Sequence, residues 1–195
     1  MALLRTATSS DLGPVIHAER VLLRTPQMSD YSAWAELRAA SRDFLMPWEP
    51  LWAADELSRA SFRRRVRHYL RDLREDMGYA LFVFCASTDA LVGGLTLCNV
   101  RRGVTQACTL GYWTGAPYAR QGYMTAAVSA VIPFVFDSLE LHRLEAACLP
   151  ANTASMRLLE RTGFTREGMA RRYLKINGVW QDHLLYALLE SDMRR

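Results

Sequence analysis

Three groups of residues in this chain have the types and spacing to do chemistry. The first spans 110–125: Leu110, Tyr112, Trp113 and Thr114 sit in a β-favouring stretch, and Gly115 and Pro117 interrupt it. Gly122 then opens a helical repeat of Met124, Ala127, Val128, Val131 and Val135. A helix starting there leaves its first N–H groups unpaired at the positive end of the dipole, so Arg120, Gln121, Gly122, Tyr123, Met124 and Thr125 form a candidate cradle for an anion such as a pyrophosphate. Many helices begin with Gly and Arg for structural reasons alone, and this stretch by itself does not separate the two. The second group is Asn152 and Ser155, an amide and a hydroxyl three residues apart on one helical face. They can address one ligand, or serve as an N-cap and a buried hydroxyl. The third is Glu49, set between Trp48 and Pro50 in the aromatic loop 43–52 with Phe44, Leu45, Met46 and Trp52. That loop either plugs the core or lines an apolar pocket whose placed polar group is Glu49.

The elements that must position these groups follow from periodicity. Residues 1–16, with Ser, Thr, Asp, Gly and Pro clustered at 8–14, read as a loose N-terminal arm, and 17–195 as one domain. A strand is expected at 19–25, and Ser29 and Asp30 can cap a helix at 31–40. Two prolines, Pro47 and Pro50, argue against regular structure in 43–52. Over 55–77, Phe62, Val66, Tyr69, Leu70, Leu73 and Met77 share one helical face, flanked by a stripe of Arg63, Arg67, Arg71 and Arg74. The stripe reads as a solvated face partly balanced by Asp72, Glu75 and Asp76, or as a contact for an anionic macromolecule; it lacks interleaved aromatics for base stacking. Strands follow at 79–86, 90–100 and 106–114, joined by short turns that make them antiparallel neighbours. A helix at 122–139 and a strand at 143–149 complete a right-handed β-α-β unit. A helix at 152–162 ends at Gly163, and strands 164–176 and 179–189 turn at Asn177-Gly178. The fold class is therefore α/β (α+β): one mixed sheet of about seven strands with helices on both faces.

Composition narrows the function. A chain of 195 residues, half of them hydrophobic, can bury one sizeable core, and a net charge of +4 favours anionic ligands without demanding nucleic acid. Cys85, Cys98, Cys108 and Cys148 stand isolated in apolar stretches, as expected of core residues in a reducing cytoplasm, and no His or Cys spacing suggests a metal. The longest apolar run, 126–136, is too short to span a bilayer, so no membrane partner is expected. A dinucleotide oxidoreductase would need G-x-G-x-x-G after the first strand, and none occurs.

The G-Y-W-T strand leading into R-Q-G-Y-M-T, followed by P-A-N-T-A-S-M-R-L-L-E-R-T-G-F, resembles the GCN5-related N-acetyltransferases over 20–189. M-P-W-E-P at 46–50 and N-G-V-W-Q-D-H at 177–183 make it similar to the RimJ type, which acetylates the N-terminal alanine of a ribosomal protein. The resemblance implies acetyl-coenzyme A held in a V-shaped opening between splayed parallel strands, here 109–114 and 143–149. Of the family's pyrophosphate motif only Gly122 matches squarely. Ala119 replaces a Gln or Arg, Arg120 a Gly and Met124 a small residue, while Ala126 stands where relatives often carry Glu.

Acetyl transfer to an amine needs a base, an oxyanion donor and an acid. Backbone N–H groups at 110–112, unpaired by the splay, suit the oxyanion. Many relatives carry a Tyr seven residues after the Asn; here that position is Leu159, which shifts the acid to Ser155. Glu49 is the first candidate base and a water chain the second, with Tyr173, Asp182 and His183 farther candidates. The acceptor site is expected from Met46, Trp48, Glu49, Trp52 and Tyr173. The acceptor itself is a protein N-terminus or a small amine such as an amino acid, polyamine or aminoglycoside. A non-catalytic acyl-coenzyme A sensor would keep the same pocket. The arginine stripe is a candidate ribosome contact, and the chain is read as a monomer or homodimer.

Overall fold

The structure, a computed structural model, describes residues 13–194. Most of the expected arm therefore lies outside the described residues, while its last part, from Val15, is strand. Eight strands form one sheet: β1 (Val15–His17), β2 (Val21–Arg24), β3 (Tyr79–Cys85), β4 (Leu91–Arg101), β5 (Ala107–Thr114), β6 (Arg143–Cys148), β7 (Thr165–Ile176) and β8 (Val179–Leu189). Their order is β1-β2-β3-β4-β5-β6-β8-β7. The eighth strand, beyond the seven expected, is β1, too short to show a period.

Alternation along β3 assigns the faces. Leu81, Val83 and Cys85 join the larger core cluster, whereas Phe82 and Phe84 join the smaller one on the opposite face. The smaller cluster packs α1 (Tyr31–Ala40) and α3 (Arg59–Arg74) through Trp34, Leu37, Phe62 and Val66. The larger packs α4 (Tyr123–Pro133) and α5 (Thr153–Arg161) through Met124, Val128, Val131 and Leu159. Pro133 has no N–H to give, and α4 widens into a π turn over Phe134–Ser138.

Two local expectations are corrected. Asp30 does not cap α1 with its side chain; it is buried, accepting from Arg24 at 2.6 and 2.9 Å and from the Gln27 N–H at 2.7 Å. The loop after α1 is not irregular: α2 (Arg42–Leu45) is one helical turn and Met46–Trp48 a 3-10 turn, because Pro47 occupies an early position where no N–H is needed.

What positions the site is the junction of β5 and β6, the sheet's one parallel pair. They pair only from Ala107↔Arg143 to Leu110↔Ala146. Beyond that, β5 runs on to Thr114 against β4, and β6 to Cys148 against β8. The strands diverge, and residues 111–114 face the gap without a neighbouring strand on that side, as the V-shaped splay requires.

Candidate active site

A cleft of about 710 Å³ runs from the start of α4, across the splay and the first turn of α5, to the loop after α1. At one end α4 begins at Gly122, whose φ of +83° is left-handed and which offers no side-chain cap, so the first N–H groups of α4 face the cleft uncapped. Arg120 is also left-handed, at φ +62°. Arg120, Gln121, Gly122, Tyr123, Met124 and Thr125 all line this end, with Met124 reaching down into the core at 5 % exposure. Sequence reasoning missed Arg20. From the turn between β1 and β2 its guanidinium lies 5.2 Å from the Tyr123 ring centre, and a Cβ on Gly122 would come within 3.0 Å of its Nη1. Nothing local to Arg20 announces this, because only the pairing of β1 with β2 brings the turn to α4.

Tyr112, Trp113 and Thr114 line the middle, with Asn152 and Ser155 opposite. Leu110 is 3 % exposed, its side chain committed to the core, so only its backbone is available to the gap. Asn152 is the N-cap of α5, its Oδ1 accepting from the Ser155 N–H at 3.1 Å, and both residues also line the cleft. The Ser155 hydroxyl lies 2.7 Å from the Tyr112 phenol oxygen. Burial pushes the Tyr112 phenol well above its usual range, and pushes the nearby Cys148 thiol up as well.

At the far end Phe44, Leu45, Trp48 and Glu49 form the wall. Here the structure adds Arg38, from the last turn of α1 and 6 % exposed. Its Nη1 and Nη2 donate to Glu49 Oε1 and Oε2 at 2.6 and 2.7 Å, and Trp52 Nε1 donates to Oε2 at 2.8 Å. The guanidinium lies 4.4 Å from the Trp52 ring centre and 5.0 Å from that of Trp113. Trp113 in turn lies across Gly94, where a Cβ would meet the indole nitrogen at 2.5 Å. Glu49 thus stands on the expected wall with its carboxylate already engaged, while Trp52 sits behind it rather than in the lining. Met46 and Tyr173 also stand outside the lining. Tyr173 is half exposed on β7 with its ring against His183, and Asp182 accepts the Arg172 N–H. The Asn177 N–H, at the β7–β8 turn, donates to the Glu49 carbonyl at 2.9 Å.

On the outer face of α3, Arg71 meets His68 and Asp72 and Arg64 pairs with Asp55, while Arg65 turns inward over the Trp34 ring and pairs with Glu56. Asp76 turns away to Arg102 and Tyr79. Arg63, Arg67 and Arg74 have no ion pair among the described residues.

A family model described as an acetyltransferase (GNAT) domain matches residues 20–165. The chain belongs to the GNAT acetyltransferase family. Among GNAT relatives, a probable N-acetyltransferase, YjcK, of Bacillus subtilis is 35 % identical over 91 % of this chain and 98 % of its own. The ribosomal protein uS5-alanine N-acetyltransferase of Escherichia coli is 32 % identical over 89 % of this chain and 90 % of its own. The solved structure of Mycobacterium smegmatis RimJ in complex with CoA-disulfide superposes with a TM-score of 0.86 at 31 % identity, covering 94 % of this chain and 89 % of that one. GNAT enzymes draw the acetyl group from acetyl-coenzyme A. This chain fits that donor: an uncapped helix start for a pyrophosphate, Arg20 and Arg120 beside it, and a strand splay to admit the pantetheine arm. No described helix is long and apolar enough to cross a membrane, and no metal-ligating cluster occurs among the described residues.

Proposed function

We propose that this GNAT enzyme acetylates the α-amino group of a protein N-terminus, of the ribosomal-protein type carried out by its Escherichia coli relative. The observation that supports this most is the charge of the cleft: besides Arg120 at the phosphate end, its lining carries Arg157 and Arg161 against one carboxylate, Glu49, and that carboxylate is bonded to Arg38. Polyamines and aminoglycosides bring several positive charges and would meet a positive wall. A peptide N-terminus brings one, on an extended chain that suits the apolar surface of Phe44, Leu45 and Trp48.

Bound acetyl-coenzyme A supplies a thioester whose carbonyl carbon the amine attacks and whose sulfur leaves. The uncapped N–H groups at the start of α4, with Arg120 and Arg20, hold the phosphates. Of the backbone N–H groups of β5 past the Leu110–Ala146 pair, those turned away from β4 face the carbonyl oxygen as it gains charge. Ser155 donates a hydrogen bond to the departing sulfur. Glu49, both of whose carboxylate oxygens are taken up by the Arg38 fork, orients the amine, and water takes the proton. The ammonium loses two protons in all, one balancing the thiolate and the other going to solvent.

Such an acceptor would place the enzyme in the cytoplasm. The arginine face of α3, with Arg63, Arg67 and Arg74 joined by Arg71, is the candidate contact for the anionic surface of a ribosome. The test is acetyl transfer from labelled acetyl-coenzyme A to peptides copying ribosomal-protein N-termini, with free amino acids and polyamines in parallel. The expected product is an α-N-acetyl peptide, located by fragmentation mass spectrometry. Turnover of polyamines or free amino acids with no turnover of peptides would replace this reading.

A further inference from the structure

The hydrogen bond between Tyr112 and Ser155 joins two elements that the sequence separates widely. Tyr112 sits on β5, two residues past the last pair with β6, so its side chain belongs to the gap rather than to a continuous sheet. Ser155 sits in the first turn of α5, its backbone pinned by Asn152. The 2.7 Å contact is the one hydrogen bond of the Tyr112 phenol among the described residues. Each hydroxyl has one hydrogen and can accept from the other. The 2.7 Å contact admits either donor; a phenol is more acidic than an aliphatic alcohol and hence the better donor, which favours the arrangement in which Tyr112 donates and Ser155 accepts. In that arrangement the Ser155 hydrogen is released from the phenol, with the Cys148 sulfur and an acceptor in the cleft competing for it, and a chain of hydroxyls polarises along its length, which strengthens the last bond.

We propose that Tyr112 is a positioning residue that aims and strengthens the Ser155 hydroxyl as the donor to the departing sulfur of coenzyme A. The proposal rests on the acetyl-transfer reading above. As the carbon–sulfur bond breaks, both electrons stay on sulfur, and the Ser155 O–H, backed by the Tyr112 O–H, shares its hydrogen with that charge. Neither hydroxyl loses its proton. A thiol titrates near 8.5, far below the Tyr112 phenol, whose burial holds it above its ordinary value, so proton transfer from the phenol to the thiolate would run uphill. The sulfur instead takes one of the protons released by the amine, delivered through solvent. Tyr112 thereby supports from the strand the hydroxyl that stands in for the tyrosine absent at position 159.

Tyr112→Phe removes the hydroxyl and keeps the ring. The expected result is a kcat lower by about three- to tenfold with acetyl-coenzyme A affinity unchanged, and no further loss when the change is made in Ser155→Ala. A second readout needs no acceptor: ultraviolet titration of the coenzyme A thiol bound to the protein. That thiol should ionise at lower pH in the wild type than in either Tyr112→Phe or Ser155→Ala, and Tyr112→Met, which also lacks the hydroxyl, takes the place of Tyr112→Phe if that variant fails to fold. An equal fall in kcat from Tyr112→Phe in both backgrounds would overturn the proposal, as would a bound thiol titrating identically in all forms. If no amine is acetylated yet the thiol shift appears, the acceptor reading falls and the hydroxyl chain stands.

Discussion

Arg38 holds both carboxylate oxygens of Glu49 while its guanidinium lies between the rings of Trp52 and Trp113. A buried pair of this kind is costly to break from one side, because the partner left behind is a desolvated charge. Glu49→Gln should therefore lower stability by about 3 kcal/mol in a denaturant melt and raise the acceptor KM, leaving acetyl-coenzyme A affinity intact. Arg38→Lys keeps the charge but not the fork, and should reproduce the rise in acceptor KM. If Glu49→Gln shifts the pH profile of kcat/KM with no loss of stability, Glu49 is the base and not an anchor.

Gly122 tests the phosphate end. At φ +83° a β-branched residue is strained, and the nearest obstacle to a Cβ is the flexible tip of Arg20, so the backbone carries the penalty. Gly122→Val should weaken acetyl-coenzyme A binding in calorimetry at least tenfold, about 1.4 kcal/mol, and Gly122→Asn, which tolerates the left-handed region, much less. Equal affinities for wild type and a folded Gly122→Val protein would move the phosphates elsewhere.

Ser41 ties the end of α1 to the turn that follows β5. Fully buried at the end of α1, its hydroxyl accepts the Ala116 N–H at 2.8 Å. Ser41→Ala leaves that N–H without its partner and should cost about 1–3 kcal/mol in stability. Hydrogen exchange at Ala116 should accelerate along with it; an unchanged exchange rate would show that the bond contributes nothing.

The thiols should separate by pH. Hydroxyls of Ser87, Thr88 and Tyr123 hold the Cys85 thiol down to about 6 despite its burial, whereas burial pushes Cys108 up to about 12. A lowered value means thiolate above it, so alkylation of Cys85 should be half-maximal near pH 6 and level by pH 8, slow because the sulfur is covered. Cys108 should stay unmodified across that range. A Cys85 rate still climbing at pH 9, read by peptide mapping, would refute the assignment.

The sequence announced those parts of the site that depend on neighbours along the chain. The β5-to-α4 junction, the Asn152 cap and the Asn177-Gly178 turn each carry local signatures, and all stand where expected. Arg38 and Arg20 were not legible. Within α1 an arginine two residues after Glu36 and followed by two alanines looks like ordinary surface, and its burial depends on a loop folding back over it. The same holds for the Tyr112–Ser155 contact, which exists because β5 and α5 meet only after the sheet is assembled. The splay itself was legible only through family resemblance, since no residue along β5 or β6 marks where pairing stops.

The backbone bond from Asn177 to the Glu49 carbonyl makes the acceptor entrance a joint product of distant segments. The β7–β8 turn leans on the very residue whose side chain Arg38 fixes, so the doorway is braced from inside by an ion pair and from outside by a hairpin. Altering the length of that hairpin would reshape the doorway while leaving the coenzyme cradle, built on β5, α4 and α5, where it is. The fold thus separates what the enzyme spends from what it accepts, and new acceptors can be reached by editing a surface turn.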